Sequence, residues 1–303
     1  MNKRAQLFTI LSIMLISLMF ISFEIFSTIH ERQAVKSRVS TMDSFLRALE
    51  KNLERQMYIS GFRIIFLAED KITTGENYIP DIDSFFNESF FNGTVDGIPE
   101  LILTGATYTD LINSVNAKAA KINVNITMEN STIIVEQEDP WHVKFTLISD
   151  FVMRDRQNLA LWSKQQNISS LIPVVEFEDP LYIIGSHATI SRKITQTIYD
   201  GDYVNLGDVS NLSDHANKGY YANNTDAPSF LKRLEGDFST DPNGIESFIN
   251  TNELAAQGFS VDADESVIDH LYFNSVSDSG SSVAGMPAWF RIDDGHKARY
   301  QLS

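Results

Sequence analysis

The sequence predicts an α+β protein in which a long N-terminal helix, membrane-spanning and then amphipathic, packs on a mainly antiparallel β exterior domain. Three observations indicate this class: an apolar run at 7–29, a helical stripe that continues to Met57, and alternating apolar and polar residues between 122 and 198. We expect five segments: a cytoplasmic leader (1–6), a transmembrane helix (7–29), an amphipathic stalk (30–70), a β-rich exterior domain (71–198) and a loop-rich β/α subdomain (199–303).

The apolar run is long enough to cross a bilayer, since a helix from Leu7 to Ile29 spans about 34 Å. Lys3 and Arg4 precede it, which favours a cytoplasmic N-terminus and an extracellular C-terminal domain. A cleaved secretory signal is the alternative, but the run exceeds a signal's apolar core and lacks an Ala-x-Ala site. We predict a single-pass cell-membrane protein whose partner over residues 7–29 is the lipid bilayer.

Beyond the run, apolar residues recur at spacings of three and four. This stripe predicts an amphipathic helix that packs on the protein's own exterior domain or on neighbouring copies. The helix should reach about Asp70 and stop within 73–77, with Gly61 as a weak point. The candidate helix-association residues are Val35, Val39, Met42, Leu46, Leu49, Leu53 and Met57.

Composition agrees with an outward-facing domain. The net charge is −16, which disfavours a nucleic-acid partner, and with no cysteine the chain can form neither disulfides nor thiolate metal sites. Asn-x-Ser/Thr sequons, which predict glycosylation, occur at Asn87, Asn92, Asn125, Asn130, Asn167, Asn211 and Asn223. In the repeat Phe-Phe-Asn at 85–87 and 90–92, we expect the phenylalanines to face inward and the asparagines outward.

The exterior domain reads as a sheet with short helices. We expect a loop at 78–99, a helix at 109–120, a hairpin of 122–128 and 132–137, and strands at 142–153, 171–177, 181–184 and 189–198. Glu-Asp-Pro occurs at 138–140 and at 178–180, and we interpret both as strand entries; a duplicated β unit is the alternative. After Tyr199, we expect helices at 228–234 and 244–251 and strands at 266–273 and 287–292.

The leader carries the most specific motif. Lys3-Arg4-Ala5-Gln6, followed directly by the apolar run, resembles the class III signal peptide of archaeal type IV pilins and archaellins. The resemblance implies an archaeal source, cleavage between Ala5 and Gln6, and association with other pilin-like subunits through the helix. Many pilins carry Glu at the fifth mature position, where this chain has Ile10. That departure favours a minor pilin-like or simply anchored surface protein over a major filament subunit.

Motifs for chemistry are weak, and we expect no catalytic residue, cofactor or metal ligand. Asp262, Asp264 and Ser266 have the spacing of a calcium loop, but Val267 replaces its glycine; the stretch 237–244 misplaces its glycine similarly. The histidines form no zinc signature, and Ser186-His187 forms no nucleophile elbow. The histidines considered were His142, His187, His215, His270 and His296.

Two hypotheses follow. The first is a membrane-anchored, non-catalytic structural or adhesive surface protein of pilin-like type. The second is a membrane-tethered module that binds a glycan or peptide, or a hydrolase that uses a carboxylate pair such as Glu176/Glu178 or Asp200/Asp202. A transmembrane receptor is disfavoured, because the leader at 1–6 offers little cytoplasmic chain for a signal.

Overall fold

The computed structural model describes residues 3–156, 159–274 and 278–302, and of residues 3–6 the backbone only. The described helices are α1 (Lys3–Gly75), α2 (Ile82–Asn92), α3 (Tyr108–Ala120), α4 (Pro180–Gly185), α5 (Ser210–Lys218), α6 (Phe230–Glu235), α7 (Thr251–Ala256), α8 (Asp269–Phe273) and α9 (Asp294–Lys297). The described strands are β1 (Thr94–Val95), β2 (Ile98–Pro99), β3 (Val124–Asp139), β4 (His142–Asp155), β5 (Leu161–Pro173), β6 (Ala222–Asn223), β7 (Ile245–Glu246), β8 (Ser281–Ser282) and β9 (Arg291–Ile292).

The predicted α+β class is confirmed: a long N-terminal helix packs on antiparallel sheets. The chain forms two compact units. The first comprises α1 up to Leu53 with Ser114–Asn130 and Ser149–Gln166, and the second comprises Glu54–Asn113, Ser131–Ile148 and everything from Asn167 onward. Helix α1 contains no proline and stops at Gly75, inside the predicted stop region, because the following Glu76 adopts a positive φ of 50°.

In the first unit, the stalk part of α1 packs beside the ends of β4 and β5. Met42 and Leu46 line a small cavity of about 160 Å³ together with Met153 and Trp162. The Arg38 guanidinium bonds to the buried Asp155 carboxylate and, at 2.9 Å, to the carbonyl of Asn123. One apolar face and one buried ion pair therefore hold this part of the helix.

The parts of β3, β4 and β5 that lie in the second unit belong to a three-stranded sheet of order β3-β4-β5. The predicted alternation in β4 is confirmed, since Val143, Phe145 and Leu147 are all fully buried. Gly61 of α1 lies against Phe145 and Ile172, and the Ser60 hydroxyl donates to the Ala106 carbonyl at 2.5 Å. The small residues in this turn of α1 allow close approach of helix and sheet.

The predicted hairpin turn at 129–131 is wrong, because β3 continues through it and turns only at Pro140-Trp141. Asn130 takes a left-handed φ of 49°, a conformation that asparagine tolerates. Its side chain donates to Asp150 on β4 at 2.9 Å, and the Ser149 hydroxyl donates to the Glu129 carbonyl. These two bonds join Asn130 and Glu129 to β4, so β3 continues through the left-handed residue instead of ending there.

The predicted loop at 78–99 is wrong in its centre, where α2 forms. Asp81 caps the helix by accepting from the Ser84 amide at 2.8 Å, and Gly93 ends it in the left-handed conformation. The buried residues Ile82, Phe85, Phe86, Ser89 and Phe90 follow helical spacing. Asn87 and Asn92 are exposed, so the phenylalanines face inward and the asparagines outward, as expected.

Two predicted strands are helices. At 181–184 the chain forms α4, because Asp179 accepts from the Leu181 amide at 2.9 Å and Pro180 fits the first helical position. Only the first Glu-Asp-Pro motif precedes a strand. At 266–273 the chain turns into α8, where the Asp269 carboxylate accepts from the His270 amide at 2.6 Å.

Of the other predicted helices and strands, some are confirmed and some are wrong. The helices expected at 109–120 and 228–234 are confirmed as α3 and α6. At 244–251 a helix was expected, but β7 forms, since Gly244 lies against the carbonyls of Asn224 and Ala227, and α7 starts only at Thr251. Of 171–177 and 287–292 only the parts in β5 and β9 are strands, and the described chain at 189–198 makes isolated bridges alone.

Candidate functional site

The apolar run is exposed along its whole length. Every large apolar side chain from Leu7 to Ile29 is between 47% and 75% exposed, on a helix that is continuous with the packed part of α1. It is the one described helix long and apolar enough to span a membrane. Ala5 and Gln6 belong to the same helix, directly before the run.

The stripe divides into an exposed and a buried part. Val35 and Val39 are exposed, and Leu46 is half-buried. The other members, Met42, Leu49, Leu53 and Met57, are at most 3% exposed within the chain's own fold. From Met42 onward, therefore, the stripe forms intramolecular core and leaves little surface for a second copy.

Six sequon asparagines are exposed: Asn87, Asn92, Asn125, Asn130, Asn167 and Asn223. Asn211 is half-buried, and its Nδ2 atom, the atom that would carry a glycan, donates to the carbonyl of Asp202 at 2.8 Å. The structure therefore makes most of the predicted glycosylation sites accessible, and Asn211 differs from them in its partial burial, since Nδ2 of Asn87 and Nδ2 of Asn130 also donate hydrogen bonds.

A groove of about 400 Å³ in the second unit brings Glu176 and Glu178 to one wall and Glu69 to another. Phe62, Phe66 and Phe177 supply its apolar surface. Burial raises the pKa of Glu69 to about 9, against a hydrogen bond from the Glu178 backbone. A pKa of about 9 keeps this carboxyl protonated at neutral pH, and among the described residues Glu69 Oε1 has no hydrogen-bond partner.

The other acidic candidates are occupied locally. The Asp200 carboxylate pairs with Arg299 at 2.7 Å, whereas the Asp202 carboxylate accepts from Asn211 Nδ2 at 3.4 Å. Asp262 accepts from the Asp264 amide at 2.9 Å, and Asp237 accepts from Ser239 in the same way. Both predicted calcium-like stretches are closed Asx turns.

A buried ionic network lies in the second unit. The fully buried Arg233 donates from Nη1 to Asp179 at 2.6 Å and to Asp269 at 3.0 Å. Tyr221 adds a bond to Asp179 at 2.8 Å, and the Ser247 hydroxyl adds one to Asp269 at 2.8 Å. Burial alone would raise the pKa of Asp269, but Arg233 and the His270 hydrogen bond outweigh it and hold that pKa well below its usual range.

Beside this network, Glu246 of β7, His270 of α8 and His296 of α9 converge. One nitrogen or oxygen atom from each lies within 4.8 Å of the other two. Glu246 and His270 are buried, and the His296 side chain is 12% exposed. Glu246 accepts from Tyr300 at 2.8 Å and from Asn224 at 2.7 Å. Two imidazoles and a carboxylate form a donor set that can hold a divalent metal ion.

Both histidines have a carboxylate on the Nδ1 side. Asp293 Oδ1 lies 2.8 Å from His296 Nδ1, and Asp269 Oδ1 lies 3.3 Å from His270 Nδ1. Burial lowers the pKa of His296, but the Asp293 hydrogen bond and the Glu246 charge outweigh it and raise that pKa. His296 Nε2 has no hydrogen-bond partner in the described part of the chain, although Glu246 Oε2 is 3.4 Å away.

Sequence reasoning missed this cluster, although it considered both histidines. The available signal was an acidic residue close to each histidine, in Asp269-His270 and in Asp293-x-x-His296. The same pattern occurs in Asp139-x-x-His142, which forms an isolated exposed pair at 2.9 Å. The motif is therefore not specific, and only the fold brings Glu246 to the two histidines.

The remaining histidines are apart from the cluster. His215 is buried in the core formed by Tyr203, Phe248 and Tyr300, where burial lowers its pKa to about 3. His187 is exposed and lies 3.3 Å from Glu76.

Comparisons of the chain with protein-family models, with curated proteins and with solved structures found no match.

Proposed function

We propose that this chain is a single-pass, membrane-anchored surface protein with a structural or adhesive, pilin-like role and no catalytic activity. The carrying observation is the exposed apolar surface from Leu7 to Ile29 on a helix whose later turns are locked into the folded domain. An apolar surface of this size needs a nonaqueous environment. Lipid chains or the equivalent helices of neighbouring subunits would supply it.

The pilin-like part of the proposal is supported by the leader. Lys3 and Arg4 stand before Ala5-Gln6, and the exposed apolar helix begins at the next residue. Val35 and Val39 extend the apolar surface beyond the run, up to the point where Met42 becomes buried. Residues 7–39 are therefore the segment that we expect to contact lipid and other pilin-like subunits. The exposed sequons are consistent with an extracellular exterior domain.

The test is the state of the full-length chain in a host that has a prepilin-type peptidase. We expect an N-terminus at Gln6 and retention in the membrane after carbonate washing. Ala5→Trp, which places a bulky residue before the expected cut, should leave Met1 in place, while the control Asn2→Ala should be processed normally. Release by carbonate would overturn the anchor, and an uncut wild-type chain that stays in the membrane would overturn only the pilin-like part.

A second candidate function is supported by the groove around Glu69. A protonated carboxyl beside three phenylalanines could hydrogen-bond and stack on a sugar or a peptide. The full chain in nanodiscs would be applied to glycan and peptide arrays alongside Glu69→Ala. Binding that disappears in the variant would favour a tethered binding module, and turnover of a bound ligand would favour the hydrolase.

Deletion of residues 1–70 cannot separate these candidates. Ile64, Ile65 and Ala68 are fully buried, so that truncation would remove part of the core along with the anchor. A shortened chain that begins after Ile29 retains every buried residue of α1 and is the truncation to use.

A further inference from the structure

We propose that Glu246, His270 and His296 bind one divalent transition-metal ion of the zinc class, which cross-links three segments of the region after Tyr199. The inference is independent of the membrane role proposed above. The three residues belong to three different elements, β7, α8 and α9, and are separated by more than twenty residues in sequence.

The geometry fits a tetrahedral site. Zn–N and Zn–O bonds of about 2.0–2.2 Å place neighbouring ligand atoms about 3.3–3.6 Å apart. His296 Nε2 and Glu246 Oε2 lie 3.4 Å apart, which is one such edge. The three ligand atoms are at most 4.8 Å from one another, so small imidazole rotations close the remaining edges. A water molecule would complete the tetrahedron.

The surroundings prepare the histidines for a metal. When Nδ1 donates to an aspartate, Nε2 keeps its lone pair for a cation, and metal-binding histidines generally have such a carboxylate partner. Asp293 takes this position for His296 and Asp269 for His270. Asp293 is itself fixed by the Ser266 hydroxyl at 2.7 Å, and Asp269 by Arg233 and Ser247.

This region also contains more buried negative side chains than buried positive ones. Arg233 is the only buried arginine or lysine among the described residues, whereas four buried carboxylates lie in or beside the network: Asp179, Glu246, Asp269 and Asp293. Two partly buried arginines, Arg192 and Arg299, pair with Glu253 and Asp200. Buried carboxylates need a counter-charge, and Glu246 receives only neutral donors besides His296. A divalent ion at the three ligand atoms would supply the missing charge.

Such an ion would stabilise this region as disulfides stabilise the extracellular domains of other proteins. The chain has no cysteine, and the region after Asn205 contains only short helices and two-residue strands among its described parts. A structural metal constrains the unfolded chain and adds its binding free energy to folding. The burial of Glu246 and His270 indicates a structural rather than a substrate-binding ion.

The experiment uses the full chain in detergent, purified with a tag that contains no histidine. Elemental analysis by mass spectrometry should find about one zinc-class ion per chain. After chelation, the melting temperature should fall, and it should return with micromolar Zn²⁺ but not with Mg²⁺. Co²⁺ in place of Zn²⁺ should give the visible absorption of a tetrahedral nitrogen and oxygen site.

Variants assign the ion to this cluster. His270→Gln and His296→Gln should lose the bound metal and the response to Zn²⁺. Asp293→Asn, which leaves all three ligands in place, should weaken Zn²⁺ binding about 10- to 100-fold. His142→Ala is the matched control, because His142 pairs with Asp139 in the same manner on an exposed turn. It should bind metal like the wild type.

Three outcomes would overturn the proposal. The first is a wild-type chain that holds no metal and shows no Zn²⁺-dependent melting. The second is metal content unchanged in His270→Gln and His296→Gln. The third is melting that responds to pH but never to chelator or metal, which would assign the counter-charge of Glu246 to a protonated imidazole.

Discussion

Gly61 of helix α1 lies directly against the side chain of Ile172 on β5. A methyl group on Gly61 would overlap the Ile172 Cδ1 atom and would also lie 3.2 Å from Phe145 Cδ1. Ile172 and Phe145 are both fully buried, so neither can move aside into solvent. The sequence makes this glycine a weak point of the helix, whereas the fold makes it a point of close helix–sheet packing.

Gly61→Ala is therefore expected to destabilise the protein. Alanine gains about 1 kcal/mol of helix propensity, but overpacking a filled core costs about 1–3 kcal/mol, and the second effect should prevail. Gly75→Ala is the matched control, since nothing lies within 4 Å of its Cβ position. Chemical denaturation would measure both, and a Gly61→Ala variant more stable than wild type would contradict the packing.

Glu69 should make stability fall as pH rises. Its folded-state pKa of about 9 exceeds the ordinary value of 4.5, so the folded chain holds one proton more than the unfolded chain between these values. Glu69→Gln keeps the neutral shape and should be more stable at pH 7 by about 1–3 kcal/mol, with no gain at pH 4. Unfolding curves at both pH values check this. Glu54→Gln, on an exposed position of α1, should show no such gain.

Arg233→Met should be strongly destabilising. It leaves Asp179 and Asp269 buried without their shared guanidinium, and loss of one member of a buried ion network costs about 3–5 kcal/mol. The comparison is Arg47→Ala, which breaks an exposed pair with Asp43 and should cost under about 0.5 kcal/mol. If Arg233→Met and Arg47→Ala lost the same free energy of unfolding, the buried network would contribute no more to stability than the exposed pair.

Sequon occupancy should differ between Asn211 and the exposed sites. A glycan added to the folded chain must attach to Nδ2, which in Asn211 is engaged with the Asp202 carbonyl. We expect Asn167, exposed on β5, to be occupied and Asn211 to be largely unmodified. Glycopeptide mass spectrometry of the protein from a glycosylating host measures both sites. Equal occupancy would mean that modification precedes folding there.

Sequence patterns predicted an element correctly where a single spacing of apolar residues, helical or alternating, ran through the segment. The end of α1 near Gly75 and the buried face of β4 could both be predicted, because helical and alternating spacings decide which side chains can share an apolar face. The prediction for the α2 region was wrong although its buried residues have helical spacing, because the asparagines and the glycine around them are typical of a loop. The groove residues Glu176 and Glu178 were named from sequence, but Glu69 was not.

By itself, the sequence determined the long helix with its apolar first part, the α+β class and the absence of disulfide cross-links. Only the tertiary structure decided that β3 passes through Asn130, that Asp-Pro opens a strand at one site and a helix at another, and that Glu246 meets two histidines. The physical reason is the distance along the chain over which the deciding interactions act. Spacing and composition act over one or two turns of chain, whereas a strand's continuation, a helix cap's burial and a ligand cluster depend on neighbours that are distant in sequence.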